Sequence, residues 1–387
     1  MTRIRRVFAC FSAIALTFLF SSSVAPAGAA DPASSTAAAN AVAWLKPQQL
    51  PDGSFEVATF AGFETRDVVL AVAEQAQTGT TWNATVARTA VEALKAGGSG
   101  PTPVDYLEDL MANPATDPGS AAKTVVLVSA PLGIDATAFG SVNLLTKLGG
   151  CNGTTSSTFN GLLYVVIAQQ LLCAGGAPAA SVTAIRDAQQ ANGGWGFVGD
   201  PTASDIDNDT TAVALEALIG SGATITDPAV HKALAFFAAN FQADGAWQSF
   251  GADDPNSTAL AVLGLTAAGF DVTTPCWRDT VAPELAGTAY TSPDAWLRSQ
   301  QITSGSDAGR VASPSDSFGV NTFATSQTVE GLLRSWLPVA RATASTCTSA
   351  PTAPVTTAPA AAVAAPATAT GVVEVGGIVV VQPRFTG

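Results

Sequence analysis

Gln189-Gln190-Ala191-Asn192-Gly193-Gly194-Trp195-Gly196-Phe197, followed by Thr210-Thr211-Ala212-Val213-Ala214-Leu215-Glu216-Ala217-Leu218, is one unit of a repeat. The first piece is a helix end running into a glycine-aromatic turn, and the second is a small-residue helix opened by threonine. The unit returns as Gln242, Asp244-Gly245-Ala246-Trp247 and Ser257-Thr258-Ala259-Leu260-Ala261-Val262-Leu263-Gly264-Leu265. Thr211 and Thr258 lie 47 residues apart, the length of one helical hairpin. The turn half is visible again at Trp44 to Gln49 with Asp52-Gly53-Ser54-Phe55, and its helical part at Trp296 to Gln301. Weaker copies of the second half begin near Thr65, Ser120, Ser156 and Thr325, which makes six inner helices. Thr124 to Ala130 and Leu162 to Leu172 are apolar nearly all round, as suits helices covered outside by partners and facing an axis inside. The pattern predicts an all-α chain over residues 31–348, an α6/α6 toroid that closes as a ring of about six hairpins.

Composition bounds the chemistry. With 47% hydrophobic and 12% charged residues, 387 residues suffice for a large core. A net charge of −13 argues against nucleic acid and anionic membranes as partners. A single histidine excludes mechanisms that need two, and no cofactor or metal is expected. His231 falls in the first turn of an outer helix and reads as a solvated residue, with metal ligation the alternative.

Arg3, Arg5 and Arg6 precede the apolar run Val7 to Phe20, and Ala27-Gly28-Ala29-Ala30 follows, the layout of a cleaved signal peptide over residues 1–30. The run is too short to span a bilayer, and no other transmembrane segment is expected. The protein is therefore read as secreted. Cys151, Cys173, Cys276 and Cys347 then form an even set in an oxidising compartment. Three pairings are open, and Cys151–Cys173 with Cys276–Cys347 is expected, each bridge contributing about 2–4 kcal/mol. Residues 349–387 turn to Pro, Ala and Thr and end in a strand-like Ile378-Val379-Val380-Val381. They are expected to be a disordered tail, either a linker or a segment associated with the cell wall.

The Gln…Gly…Trp turns, with Asp209-Thr210-Thr211-Ala212 and Ser257-Thr258-Ala259 at the helix starts, resemble the prenyltransferase/squalene-oxidase repeat. The resemblance covers about residues 36 to 340 and is strongest from Ser181 to Phe270. It implies an α/α toroid of the kind used by terpenoid cyclases, protein prenyltransferase β subunits and cobalamin carriers. Function stays open among them, because a fold does not choose its chemistry. Protein prenyltransferases hold zinc with Asp, Cys and His, and the cysteines here are expected to be paired.

The densest polar cluster, Asp205-Ile206-Asp207-Asn208-Asp209, stands directly before an inner helix and fits three readings. It resembles the Asp-x-Asp-Asp-Thr-Ala acid of class II terpenoid cyclases, which places Asp207 at the first Asp, Asp209 at the protonating one and Thr210 at the last, a departure from the pattern. Asp205, Asp207, Asp209 and Glu216 also occupy positions 1, 3, 5 and 12 of a calcium loop, with Thr210 where the sharp turn requires glycine. In the third reading, Asp and Thr simply cap the helix. As a ligand site, Asp205, Asp207, Asp209 and Thr211 are the candidates. Trp195, Trp247 and Trp296 read as hairpin packing residues. The leading expectation is a non-catalytic module that binds an unknown small molecule or a surface protein. The alternatives are a cyclase acting through Asp207 and Asp209, and a structural domain on a stalk.

Overall fold

A computed structural model describes residues 30–56, 63–78, 81–153, 156, 158–318 and 321–339. The expected signal peptide, the tail and Cys347 lie outside the described residues. Asp31 caps the first helix, α1 (Pro32–Leu45), by accepting from the Ala33 and Ser34 N–H groups, with proline at the first helical position. The chain continues through α2 (Glu64–Gln75), α3 (Ala84–Glu92), α4 (Pro103–Ala112), α5 (Pro118–Thr124), α6 (Ala130–Leu132), α7 (Leu144–Lys147), α8 (Phe159–Leu172) and α9 (Ala179–Asp187). It ends with α10 (Asn208–Gly220), α11 (Pro228–Asn240), α12 (Pro255–Ala267), α13 (Cys276–Val281), α14 (Pro293–Ser299) and α15 (Thr322–Leu333). Between α5 and α6 the helix widens into a π turn, Val125–Ser129. Pro131 lies just beyond it, lacking an N–H and crowding the carbonyl four residues back, which explains the local widening.

The inner ring runs α2, α5 with its π turn, α8, α10, α12, α15 and back to α2, so the last inner helix packs on the first. The architecture is the expected all-α toroid, and the inner helices begin at the six places marked in the sequence. Every residue of α12 is buried. Neighbouring inner helices approach through small residues: a Cβ on Gly264 would lie 3.1 Å from the Ala212 Cα, and one on Gly331 would lie 2.9 Å from the Ala259 Cα.

The repeat has a physical explanation. In four hairpins the inner-helix threonine accepts the backbone N–H of the turn residue: Phe55 to Thr65 at 3.0 Å, Trp195 to Thr211 at 3.0 Å, Trp247 to Thr258 at 2.9 Å and Val311 to Thr325 at 3.1 Å. Trp195 and Trp247 are fully buried and donate their indole N–H to the Ile185 and Phe237 carbonyls, and Trp296 is buried too, so all three tryptophans pack the hairpins. The turn glycine rests on the next outer helix. Gly193 has φ of 94°, and a side chain there would strike the Lys232 backbone.

Ring closure reuses the same joint. Gln189 donates to the Ala229 carbonyl at 2.8 Å and Arg186 pairs with Asp227 at 2.6 Å, which ties α9 to α11. At the seam, Gln301 donates to the Ala37 carbonyl at 2.8 Å and Arg298 pairs with Asp31 at 3.0 Å, which ties the end of α14 to α1.

The Cys151–Cys173 disulfide is present and joins the end of α8 to the loop that leads into it. Cys276 is itself engaged. The described residues also contain a short hairpin absent from the sequence reading, β1 (Gln248–Ser249) with β2 (Ala252–Asp253), paired Gln248 to Asp253 and Ser249 to Ala252. Its two turn residues, Phe250 and Gly251, have φ of 49° and 80°, the left-handed pair that a two-residue hairpin turn requires.

Candidate functional site

The inner helices start at one mouth of the ring, and the acidic stretch opens there into a cleft of about 460 Å³. Asp205, Asp207, Asn208 and Asp209 line it together with Gln248, Phe250 and Ser257. Asp207 is the N-cap of α10. One oxygen accepts the Thr210 N–H and the other the Thr210 hydroxyl, both at 2.9 Å. Asp254 caps α12 in the same way, accepting from Asn256 and Ser257 N–H groups at 2.8 and 3.1 Å. Asp209 stands in the first turn of α10. Burial pushes Asp207 up to about 7, and the neighbouring Asp209 carboxylate adds to the shift against the Thr210 bonds. Asp254 is pushed up to about 7 as well, first by burial and then by Asp209.

Three of the candidate ligand residues, Asp205, Asp207 and Asp209, line this cleft, and Thr211 does not. Thr211 is fully buried, its hydroxyl donated to the Asp207 carbonyl at 2.7 Å and accepting from Trp195. It serves the turn. The calcium loop is also corrected. Because Thr210 continues the helix, Glu216 is carried seven residues along α10, about 10 Å from Asp209, and faces the central cavity instead of the mouth. Among the described residues no group of three or more His, Cys, Asp or Glu side chains is arranged to hold a metal. His231 is exposed on α11, as expected.

A second polar group, missed in the sequence, occupies the ring axis. Counting from the turn-bonded threonines, the second residue onward is Asp67, Val213, Leu260 or Gln327, and the fifth is Leu70, Glu216, Leu263 or Glu330. All but Gln327 line a cavity of only about 30 Å³. Asp67 pairs with Lys123 at 3.0 Å, both nearly inaccessible, and accepts from Gln327 at 3.0 Å. Gln327 in turn accepts from Asn256 at 2.9 Å. The Lys123 ammonium sits 5.7 Å from the Tyr164 ring centre and 5.5 Å from that of Phe323. Burial pushes Glu216 up to about 8 and Glu330 well above the carboxylate range, the latter also through Asp67 and Glu74. Beyond them, Glu74 accepts the Trp336 N–H at 2.7 Å, and burial holds it up at about 8. Trp336, Leu337 and Pro338 line the cavity at that end. The threonine register, five residues to each glutamate, is the signal that would have found Glu216 and Glu330 together.

No family profile and no curated protein matches the chain. Solved structures do. A ligand-free variant of the type II terpene cyclase MstE from Scytonema superposes with a TM-score of 0.50 at 15% identity, covering 78% of this chain and 96% of that one. Another variant of that enzyme, in complex with geranylgeranyl dihydroxybenzoate as substrate, gives 0.50 at 14% identity, covering 78% and 97%. The shared feature is the α/α toroid. At this identity the likeness establishes architecture and leaves the chemistry to the residues.

Proposed function

We propose that the protein is an acid-dependent enzyme of the class II terpenoid cyclase kind, with the Asp207–Asp209 pair holding the proton at the mouth of the ring. The observation that carries this reading is the position of the pair: two adjacent carboxyls, one raised to about 7, opening into a cleft of about 460 Å³. A carboxylic acid that keeps its proton near neutrality is the form needed to protonate an alkene. The fold shared with cyclases agrees with it, and so does their use of small-molecule substrates. Incubating the protein with squalene and geranylgeranyl lipids tests it. Cyclised product is expected from the wild type, with the rate falling about 10²–10⁴-fold in both Asp207→Asn and Asp209→Asn. Unchanged lipid in all three would remove the enzyme reading.

A non-catalytic binding module is the second reading, and the lining favours it: Phe250 is the one aromatic among the described cleft residues, whereas carbocation chemistry draws on several. The Cys151–Cys173 bridge supports action in an oxidising compartment, in keeping with export through residues 1–30. Mass spectrometry of protein from culture medium should find a mature chain starting near Asp31. An uncleaved chain inside the cell would contradict export.

A further inference from the structure

The mouth cleft is charged on one side only. Asp205, Asp207 and Asp209 line it, and none of its described lining residues is Lys, Arg or His. Helix N-termini usually attract anions, but here Asp207 and Asp254 already occupy the leading N–H groups of α10 and α12. A diphosphate or carboxylate head would meet only like charge. A buried acceptor points the same way. Asn208, 2% exposed and among the lining residues, gives its amide N–H to the Gln248 carbonyl at 2.8 Å, and its amide oxygen has no hydrogen-bond partner among the described residues. Such a group costs free energy until a donor reaches it. The rim is apolar. Phe250 is 79% exposed at the hairpin tip and Ile206 is 59% exposed, and both line the cleft.

We infer that the cleft binds an organic cation, an ammonium or guanidinium group on a short apolar body, with the charge among Asp205, Asp207, Asp209 and Asn208 and the body against Phe250 and Ile206. The carboxylates retain capacity for this, because each oxygen accepts more than one hydrogen bond. The acids do not converge as a metal-holding group, which sets the organic cation apart from an inorganic one. The inference takes the mouth as the working site, as the proposed function does, and needs no proton transfer.

Calorimetric titration of the full-length protein with n-octylammonium chloride, n-octanol, sodium n-octanoate and calcium chloride tests it. Saturable binding of n-octylammonium is expected, weakened by added salt and about tenfold weaker in both Asp209→Asn and Phe250→Ala. Phe250 is a solvent-exposed tip residue, so that variant keeps the test readable if Asp209→Asn does not fold. Equal or tighter binding of octanol or octanoate, displacement of octylammonium by calcium, or no binding to the wild type would overturn the inference. Amine binding without lipid turnover removes the proposed acid chemistry alone, and turnover without amine binding removes this inference alone.

Discussion

The Thr211 hydroxyl accepts from one hairpin's turn and donates to the cap of its helix, so a single side chain fixes the angle between the two halves of a repeat. Replacing it by valine keeps the volume and leaves the buried Trp195 N–H without an acceptor. Thr211→Val should lose about 1–3 kcal/mol of stability in urea unfolding, and a loss near zero would deny the threonine its joint role. Lys123 is the opposite case, a buried charge whose worth lies in its partners. Lys123→Met should cost about 3–5 kcal/mol by leaving Asp67 unpaired at the axis, and Asp67→Leu added to it should recover most of that loss. If the double variant is as unstable as the single one, the ion pair is not what Lys123 provides. The acidic stretch teaches the same lesson about legibility. Asp207 was readable as a cap or an acid and is a cap with a raised proton affinity, so the two readings coexist in one carboxyl.

At the scale of elements, inner helices with small faces can lie close, and this is where glycine inside a helix finds its use. Gly331→Ala would gain about 1 kcal/mol of helix propensity and lose about 1–3 kcal/mol through overpacking of α15 against the Ala259 backbone on α12. A net loss of about 1 kcal/mol is expected in denaturant unfolding, and a gain would mean that the interface gives way easily. The Cys151–Cys173 bridge closes a loop with a sequence separation of 22. Replacing both cysteines by alanine should cost about 3 kcal/mol, visible as a lower midpoint with little change in denaturant slope.

Over the whole molecule, the axis carries glutamates whose proton affinity burial raises, beside the Asp67–Lys123 ion pair, in a mostly apolar barrel of helices. Glu74 and Glu216 hold their protons up to about pH 8, against an ordinary value of 4.5. The folded state therefore binds more protons than the unfolded one between these values, so stability falls as pH rises through that window and levels off above about 8. Melting temperatures recorded from pH 5 to about 9 should decline. Glu216→Gln, which keeps the shape without the titration, should flatten the decline. A flat profile in the wild type would show that these carboxyls ionise freely.

What the sequence by itself determined is the repeat that builds the ring: recurring Gln, Gly, aromatic and Thr positions are hydrogen-bonding instructions, the threonine joining its own hairpin's turn and the Gln reaching the next outer helix. The six inner-helix starts followed from that pattern, the burial of Trp195, Trp247 and Trp296 agreed with it, and the Cys151–Cys173 bridge was expected separately, as one of three pairings open to the even cysteine set. Only the tertiary structure decided what faces what. Glu216 left the acidic mouth because the helix runs on through Thr210, and Thr211 turned out to face its own hairpin's turn instead of the cleft. Asp67, Lys123, Gln327 and Glu330 meet although they are scattered over more than 260 residues, because closing the ring brings α15 back to α2. Such proximity depends on the angle at which the last hairpin returns, and no single repeat encodes it.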